Sequence, residues 1–269
     1  MSPERRMSPE RRTAEGGRLD RALADRGLAR SRSHAQQLIH SGLVRVSGQI
    51  VRRPAERVDP ETSLEVVDAT AAGEVSRAGG KLRGALAAWD VTVPDRCVDI
   101  GSSTGGFTQV LLEHGAATVF AVDVGTDQLE SRLRQDPRVQ VREQTNARGL
   151  TVDDLDGQPV SLAVADVSFI SLTLLLDPIF GVLRPDGEAL LMVKPQFEVG
   201  RAAIADGVVR DRGLREHAVE GVRSAAAGRG WRCIATRPSD VPGPSGNLEY
   251  FCWFVGPRST RTVGPSNAG

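Results

Sequence analysis

The rhythm of apolar and polar positions changes twice along this chain. Residues 1–17 show no apolar period. MSPERRMSPERR is a direct duplication with no apolar residue beyond methionine, so a disordered extension is expected. From Arg18 to Arg26, Leu19, Ala22 and Leu23 recur at helical spacing, and Gly27 closes the turn. A second helix is expected over SRSHAQQLIHSG. Ser31 or Ser33 can cap it, Ala35, Leu38 and Ile39 share a face, and Gly42 ends it. LVRVSGQIVR then alternates and turns at Ser47-Gly48, the pattern of a hairpin, and SLEVV adds a strand. Residues 18–67 thus read as a small α/β unit. Residues 68–76 are small and polar and read as a linker. A helix is expected from about Gly80 to Asp90, with Leu82, Leu86 and Trp89 near one face.

Beyond Cys97, short apolar strands alternate with amphipathic helices. The strands are 97–101, 118–124, 139–143, 161–167, 188–194, 231–236 and 249–255; helices fit near 106–114, 127–134, 171–183 and 211–229. Near-continuous apolar strands between helices imply a doubly wound parallel sheet covered on both faces, here over residues 77–256. Only PSDVPGPSGNL joins the last two strands, so they are expected to pair as an antiparallel hairpin at one edge. Residues 257–269 read as a disordered tail.

Composition narrows the class. Apolar residues make up 40% and charged residues 25%, which suits a chain with a buried core. No run approaches the ~18 apolar residues of a membrane span, and the arginine-rich start is unlike a signal peptide, so a cytoplasmic location is expected. Cys97, Cys233 and Cys252 lack metal-ligand spacing and sit in apolar segments, so buried structural thiols are expected, and no metal. Residues 1–66 carry 13 Arg against 9 acidic residues, whereas the rest carries 21 basic against 25 acidic, so a polyanionic partner would meet the front of the chain. Of the 34 basic residues only two are lysines, Lys81 and Lys194. Where arginine is so favoured, a retained lysine points to a need for an amine that can lose its proton.

Five segments carry candidate chemistry. DIGSSTGGFT (99–108) runs from a strand end through a glycine-rich turn into a helix, where nucleotides bind in doubly wound sheets. Phe107 stands where a phosphate-cradling loop needs Lys, and Gly101, Gly105 and Gly106 do not fit the dinucleotide fingerprint. Asp99 just before the glycines suits a cationic or zwitterionic ligand, such as the sulfonium S-adenosylmethionine. Asp123, ending the second strand, is placed to accept from ribose hydroxyls. Asn146 could contact an adenine ring or cap a loop. Asp166 and Lys194 end the fourth and fifth strands, and Glu249 opens the last; an antiparallel last strand brings all three to the glycine loop. Lys81 on the preceding helix could complete the set. Such convergent groups suit deprotonation of a ribose 2′-hydroxyl, with Lys194 acting on the hydroxyl and Lys81 anchoring a phosphate. On that reading Lys81→Arg retains more activity than Lys194→Arg.

These segments carry a family resemblance. RLDRALADRGLARSRSHAQQLIHSGLVRVSGQIV resembles the S4 RNA-binding domain. SRAGGKL, DIGSSTGGFT, AVDVGTDQL, ADVSFISL, MVKPQFE and GNLEYF together resemble the TlyA family of 16S/23S ribosomal RNA 2′-O-methyltransferases, once called hemolysins, whose catalytic part is FtsJ-like. The resemblance covers residues 18–255. It implies a class I methyltransferase fold, S-adenosylmethionine as cofactor, and cytidine in ribosomal RNA or ribosomal subunits as substrate. It also implies a Lys-Asp-Lys-Glu tetrad at Lys81, Asp166, Lys194 and Glu249, and cofactor contacts from Gly101, Ser102, Thr104, Gly105 and Asp123. In the S4-like unit Arg30, Arg32, Arg45, Arg52 and Arg53 are candidate phosphate contacts. Residues 1–88 lack aromatics, so base stacking is not expected there. The expected partner is ribosomal RNA, with the chain acting as a monomer and no membrane or metal involved. An RNA-binding assembly factor with a vestigial cofactor site is the alternative that an intact tetrad argues against. The old name also suggests a membrane lysin, for which the sequence offers no spanning segment.

Overall fold

The computed structural model describes residues 16–29, 31–40, 42–67, 75–200, 204, 207–243 and 246–262. Most of the expected extension and linker, Arg30 and the end of the tail lie outside the described residues. The chain divides into two units, 1–67 and 68–269.

In the first unit the order is β1 (Gly17–Arg18), α1 (Leu19–Asp25), α2 (Arg32–His40), β2 (Val44–Val46), β3 (Gln49–Ile50), β4 (Arg57–Val58) and β5 (Leu64–Val66). β2 pairs antiparallel with both β3 and β5, and β1 with β4. The expected β2–β3 hairpin turns on Ser47 (φ 48°) and Gly48 (φ 82°), two left-handed residues that match the twist of the flanking strands. Leu19, Leu23, Ala35, Leu38, Ile39, Val44 and Val58 form one apolar cluster, joining the helix faces to the strands.

The second unit runs α3 (Ala78–Trp89), β6 (Arg96–Ile100), α4 (Gly106–Glu113), β7 (Thr118–Val122), α5 (Ser131–Arg134), β8 (Val139–Arg142), β9 (Val160–Ala165), α6 (Leu176–Gly181), β10 (Leu183–Val193), α7 (Pro195–Glu198), α8 (Arg212–Ala227), β11 (Arg232–Pro238) and β12 (Tyr250–Val255). The seven-stranded sheet has the order β11-β12-β10-β9-β6-β7-β8. β6 to β10 are parallel, and β12 lies antiparallel between β10 and β11. Apolar side chains cover both faces, as near-continuous apolar strands require. β6 sits between β7 and β9, so the connections change direction there and a crevice opens at the strands' carboxyl ends.

The structure departs from the sequence pattern in three places. The helix expected over 127–134 shrinks to α5 because Glu143 accepts the N–H groups of Asp127, Gln128 and Leu129 at 2.9, 3.0 and 3.4 Å. The helix expected over 171–183 is a 3-10 turn, Leu172–Leu174, followed by α6. β10 begins at Leu183, earlier than expected, and its register shifts between Leu183 and Glu188. All three cysteines are free; Cys97 and Cys252 are buried and Cys233 is half-buried.

Candidate active site

The glycine-rich turn leaves β6 and enters α4. Gly101 (φ 80°) is left-handed, and a Cβ there would lie 3.0 Å from the carbonyl oxygen of Asp166. Only glycine combines that backbone with that approach. Gly101 and Ser102 donate to the Val122 carbonyl at 2.8 and 3.1 Å, which pins the turn to β7. Asp123, just beyond β7, accepts from Ser103 N at 2.9 Å and Gly125 N at 2.7 Å. Each carboxylate oxygen keeps further acceptor capacity toward the turn. Thr104 accepts from Glu130 N at 3.1 Å, and Gly105 opens α4 in a left-handed conformation. This cradle of backbone groups and one acidic acceptor fits a nucleoside ligand without calling for a phosphate-binding lysine. Asn146 caps the turn Ala147–Gly149 by accepting from Arg148 N at 3.1 Å, which is the loop-capping use of that residue.

Asp99 lies beneath the cradle. It is fully buried; Oδ2 accepts from Thr108 Oγ1 at 2.7 Å, and Oδ1 has no hydrogen-bond partner among the described residues. Burial pushes its carboxyl up to about 7, more than the Thr108 bond holds it down. The folded chain therefore binds a proton that the unfolded chain has lost, and stability falls as pH rises from the ordinary carboxylate range toward 7. Asp99→Asn should remove that slope. Its melting temperature relative to the parent should rise between pH 5 and pH 8; parallel curves would show that Asp99 does not titrate in this way.

The four charged residues meet at the carboxyl ends of β9 and β10. α3 reaches them by packing on α4 through two glycines: a Cβ on Gly79 would lie 3.1 Å from the Gly106 carbonyl oxygen. That close crossing brings in Lys81, which is only 7% exposed. Its Nζ donates to Glu249 Oε2 at 2.6 Å, to Asp166 Oδ2 at 3.4 Å and to Met192 Sδ at 3.6 Å. Burial alone would lower its pKa, but Asp166 and Glu249 outweigh burial and raise it, so Lys81 stays an ammonium. Asp166 is held far below the usual carboxylate range: Lys194 and Lys81 overcome the opposing effect of its burial. Lys194 Nζ lies 2.7 Å from Asp166 Oδ1, in an ion pair off the line of a straight hydrogen bond, and donates to Ser168 Oγ at 2.8 Å. Glu249 is fully buried just ahead of β12, whose first residue, Tyr250, pairs with Val193. Lys81 is thus enclosed among three partners.

Two features of this region carry no obvious sequence signal. Ser168 partners Lys194. Phe169 follows at φ 67° with 76% of its surface exposed, and its ring lies 5.4 Å from that of Phe197 in α7. A bulky residue in the left-handed region costs of order 1–3 kcal/mol and tends to persist at functional sites.

In the first unit, Arg32, Arg45, Arg52 and Arg53 are exposed. Arg32 is ordered by Asp20, a fully buried carboxylate that accepts from Arg32 Nε at 3.0 Å, Gln36 Nε2 at 2.8 Å, and Arg18 Nε and Nη2, each at 3.0 Å. Arg18 thus joins Arg32 in one fixed cationic pair, a grouping that sequence spacing alone does not reveal.

Comparison with known proteins agrees with this architecture. Residues 74–255 match the FtsJ-like methyltransferase family and residues 17–64 the S4 domain. A Mycobacterium tuberculosis (strain H37Rv) protein named 16S/23S rRNA (cytidine-2′-O)-methyltransferase TlyA is 48% identical over 90% of this chain and 90% of the relative. Hemolysin A of Brachyspira hyodysenteriae is 38% identical over 88% of this chain and 99% of the relative. The solved structure of a candidate hemolysin from Streptococcus thermophilus has a TM-score of 0.69 and 38% identity, and covers 94% of this chain and 92% of that one. The chain belongs to the TlyA family of FtsJ-like, S-adenosylmethionine-dependent methyltransferases, with an S4 domain ahead of the methyltransferase domain.

Proposed function

We propose that this chain methylates the ribose 2′-oxygen of a cytidine in 16S or 23S ribosomal RNA, acting as a monomer on RNA or on ribosomal subunits. The observation that carries the chemistry is the meeting of Lys81, Asp166, Lys194 and Glu249 beside the glycine turn. S-adenosylmethionine, when bound, supplies the electrophilic methyl group. The turn from Gly101 to Gly105 would hold the cofactor and Asp123 would accept from its ribose, with Asp99 supporting the turn from beneath. Lys194 Nζ, once its ammonium has given a proton to solvent, takes the 2′-hydroxyl proton as the oxygen becomes the nucleophile, and Asp166 stabilises the ammonium that is restored. Glu249 and Asp166 keep Lys81 charged, and Lys194 and Lys81 keep Asp166 ionised. Arg18 and Arg32 would grip phosphates, alongside Arg45, Arg52 and Arg53. Among the described residues no helix is long and apolar enough to cross a membrane, so nothing here supports a lytic role.

The test is transfer of tritium from labelled S-adenosylmethionine to 30S and 50S subunits and to free ribosomal RNA, followed by mapping of 2′-O-methylribose. Label on a cytidine ribose is expected; label on a base, or none on any ribosomal substrate, would overturn the reading. Phe169 is suited to stack on the target base. Base–aromatic stacking contributes ~1–3 kcal/mol, so Phe169→Ala should lower kcat/KM for RNA by roughly 5- to 100-fold and leave cofactor affinity unchanged. Unaltered RNA kinetics would remove Phe169 from the site.

A further inference from the structure

The segment from Asp166 to Ser171 leaves β9 and must hold Ser168 and Phe169 in place, although Phe169 is strained and exposed. α7 fastens that segment at two points. One is the contact between the Phe169 and Phe197 rings. The other is Glu198, the last residue of α7, which is half-buried. Its Oε2 accepts from Ser171 Oγ at 2.6 Å and its Oε1 from Leu172 N at 2.7 Å. Ser171 Oγ in turn lies 2.6 Å from Thr173 Oγ1 and accepts from Thr173 N at 3.2 Å, which caps the Leu172–Leu174 turn. Since α7 begins directly after Lys194, the circuit closes: Lys194 to Ser168 at one end, Glu198 to Ser171 at the other.

The geometry points to Glu198 as a positioning residue for the target nucleotide: its carboxylate braces the segment that presents Ser168 and Phe169 beside Lys194. This rests on the reading of that segment as the nucleotide's seat. The Glu198 carboxylate bonds Ser171 and Leu172, not the tetrad, among the described residues, so it acts through Phe169 and Ser168 rather than on the reacting atoms. A carboxylate suits the task because two convergent donors, a hydroxyl and an amide N–H, need two acceptor oxygens with fixed spacing.

Two measurements on the full-length protein test it. Hydrogen exchange reads the brace without any reaction. Glu198→Ala should speed exchange in the peptide spanning residues 167–175 by roughly fivefold or more, with little change elsewhere. Kinetics read its use. Loss of two hydrogen bonds to a charged acceptor should raise KM for ribosomal RNA about tenfold and leave KM for S-adenosylmethionine within about twofold, with Glu198→Gln intermediate. In a Phe169→Ala background the same change should add less than about twofold, because residues acting through one element are not additive. Unchanged exchange in 167–175 would overturn the brace. So would a full tenfold cost persisting in the Phe169→Ala background, or an equal rise in KM for the cofactor. If the parent protein methylates no ribosomal RNA, the functional reading fails and the nucleotide role fails with it; the exchange result still judges the brace separately.

Discussion

Lys194→Ala should lower the single-turnover rate of methyl transfer by about 10²–10⁴-fold, the range expected when a positioned proton-transfer group is removed. Its binding of S-adenosylmethionine should change little, because the glycine turn and Asp123 hold themselves through backbone bonds that do not involve Lys194. The fold should also survive. Asp166 keeps Lys81 at 3.4 Å, and the other partner lost, Ser168, is exposed and can bond water. Lys194→Arg should not restore the rate, since a guanidinium keeps its proton and spreads its donors in a wide fork. Methylamine added to Lys194→Ala should recover part of the activity by occupying the vacated space. Single-turnover assays with labelled cofactor and ribosomal RNA check all of this. More than a tenth of parent activity in Lys194→Ala would remove the residue from proton transfer.

How much of this site was legible in the sequence depends on the range of the interactions. The glycine turn, Asp123 and the strand ends at Asp166 and Lys194 follow from local pattern: an apolar run, a turn and a helix start. The placement of Glu249 also follows, because a short link pairs β11 with β12 and makes β12 start at the crevice, where β11 ends. What fills the space around Lys81 could not be read in this way. Its partners Met192 and Glu249 are 111 and 168 residues away, and nothing local says that the helix crosses α4 on two glycines. Phe169 reads as an ordinary apolar residue of ADVSFIS; only the backbone reveals that it is turned outward. Short elements held by a few bonds, such as β1, β4 and α7, lack the length for a period to show.

The two lysines differ in what their loss does to the fold. Lys81→Met removes a charge from between Glu249, which is fully buried, and Asp166, and a methionine side chain fills much of the same space. The Glu249 carboxylate then loses its one hydrogen-bond partner among the described residues, in a fully buried site. Breaking a buried ion pair from one side typically costs ~3–5 kcal/mol, because a buried charge is left uncompensated. At about 2–4 °C per kcal/mol for a unit of this size, the methyltransferase transition should fall by roughly 10 °C. Activity should be lost as well, so activity alone cannot assign the cause. The second substitution does: adding Glu249→Gln removes the stranded charge, and the double variant should regain most of the lost melting temperature while remaining inactive. Thermal unfolding of the parent, Lys81→Met and the double variant gives the coupling directly. A Lys81→Met protein as stable as the parent, or a double variant no more stable than the single, would show that the pair does not hold this part of the fold. A double variant that stays inactive after its stability returns would leave Lys81 and Glu249 needed for the reaction itself, as the seat of Asp166 and hence of Lys194.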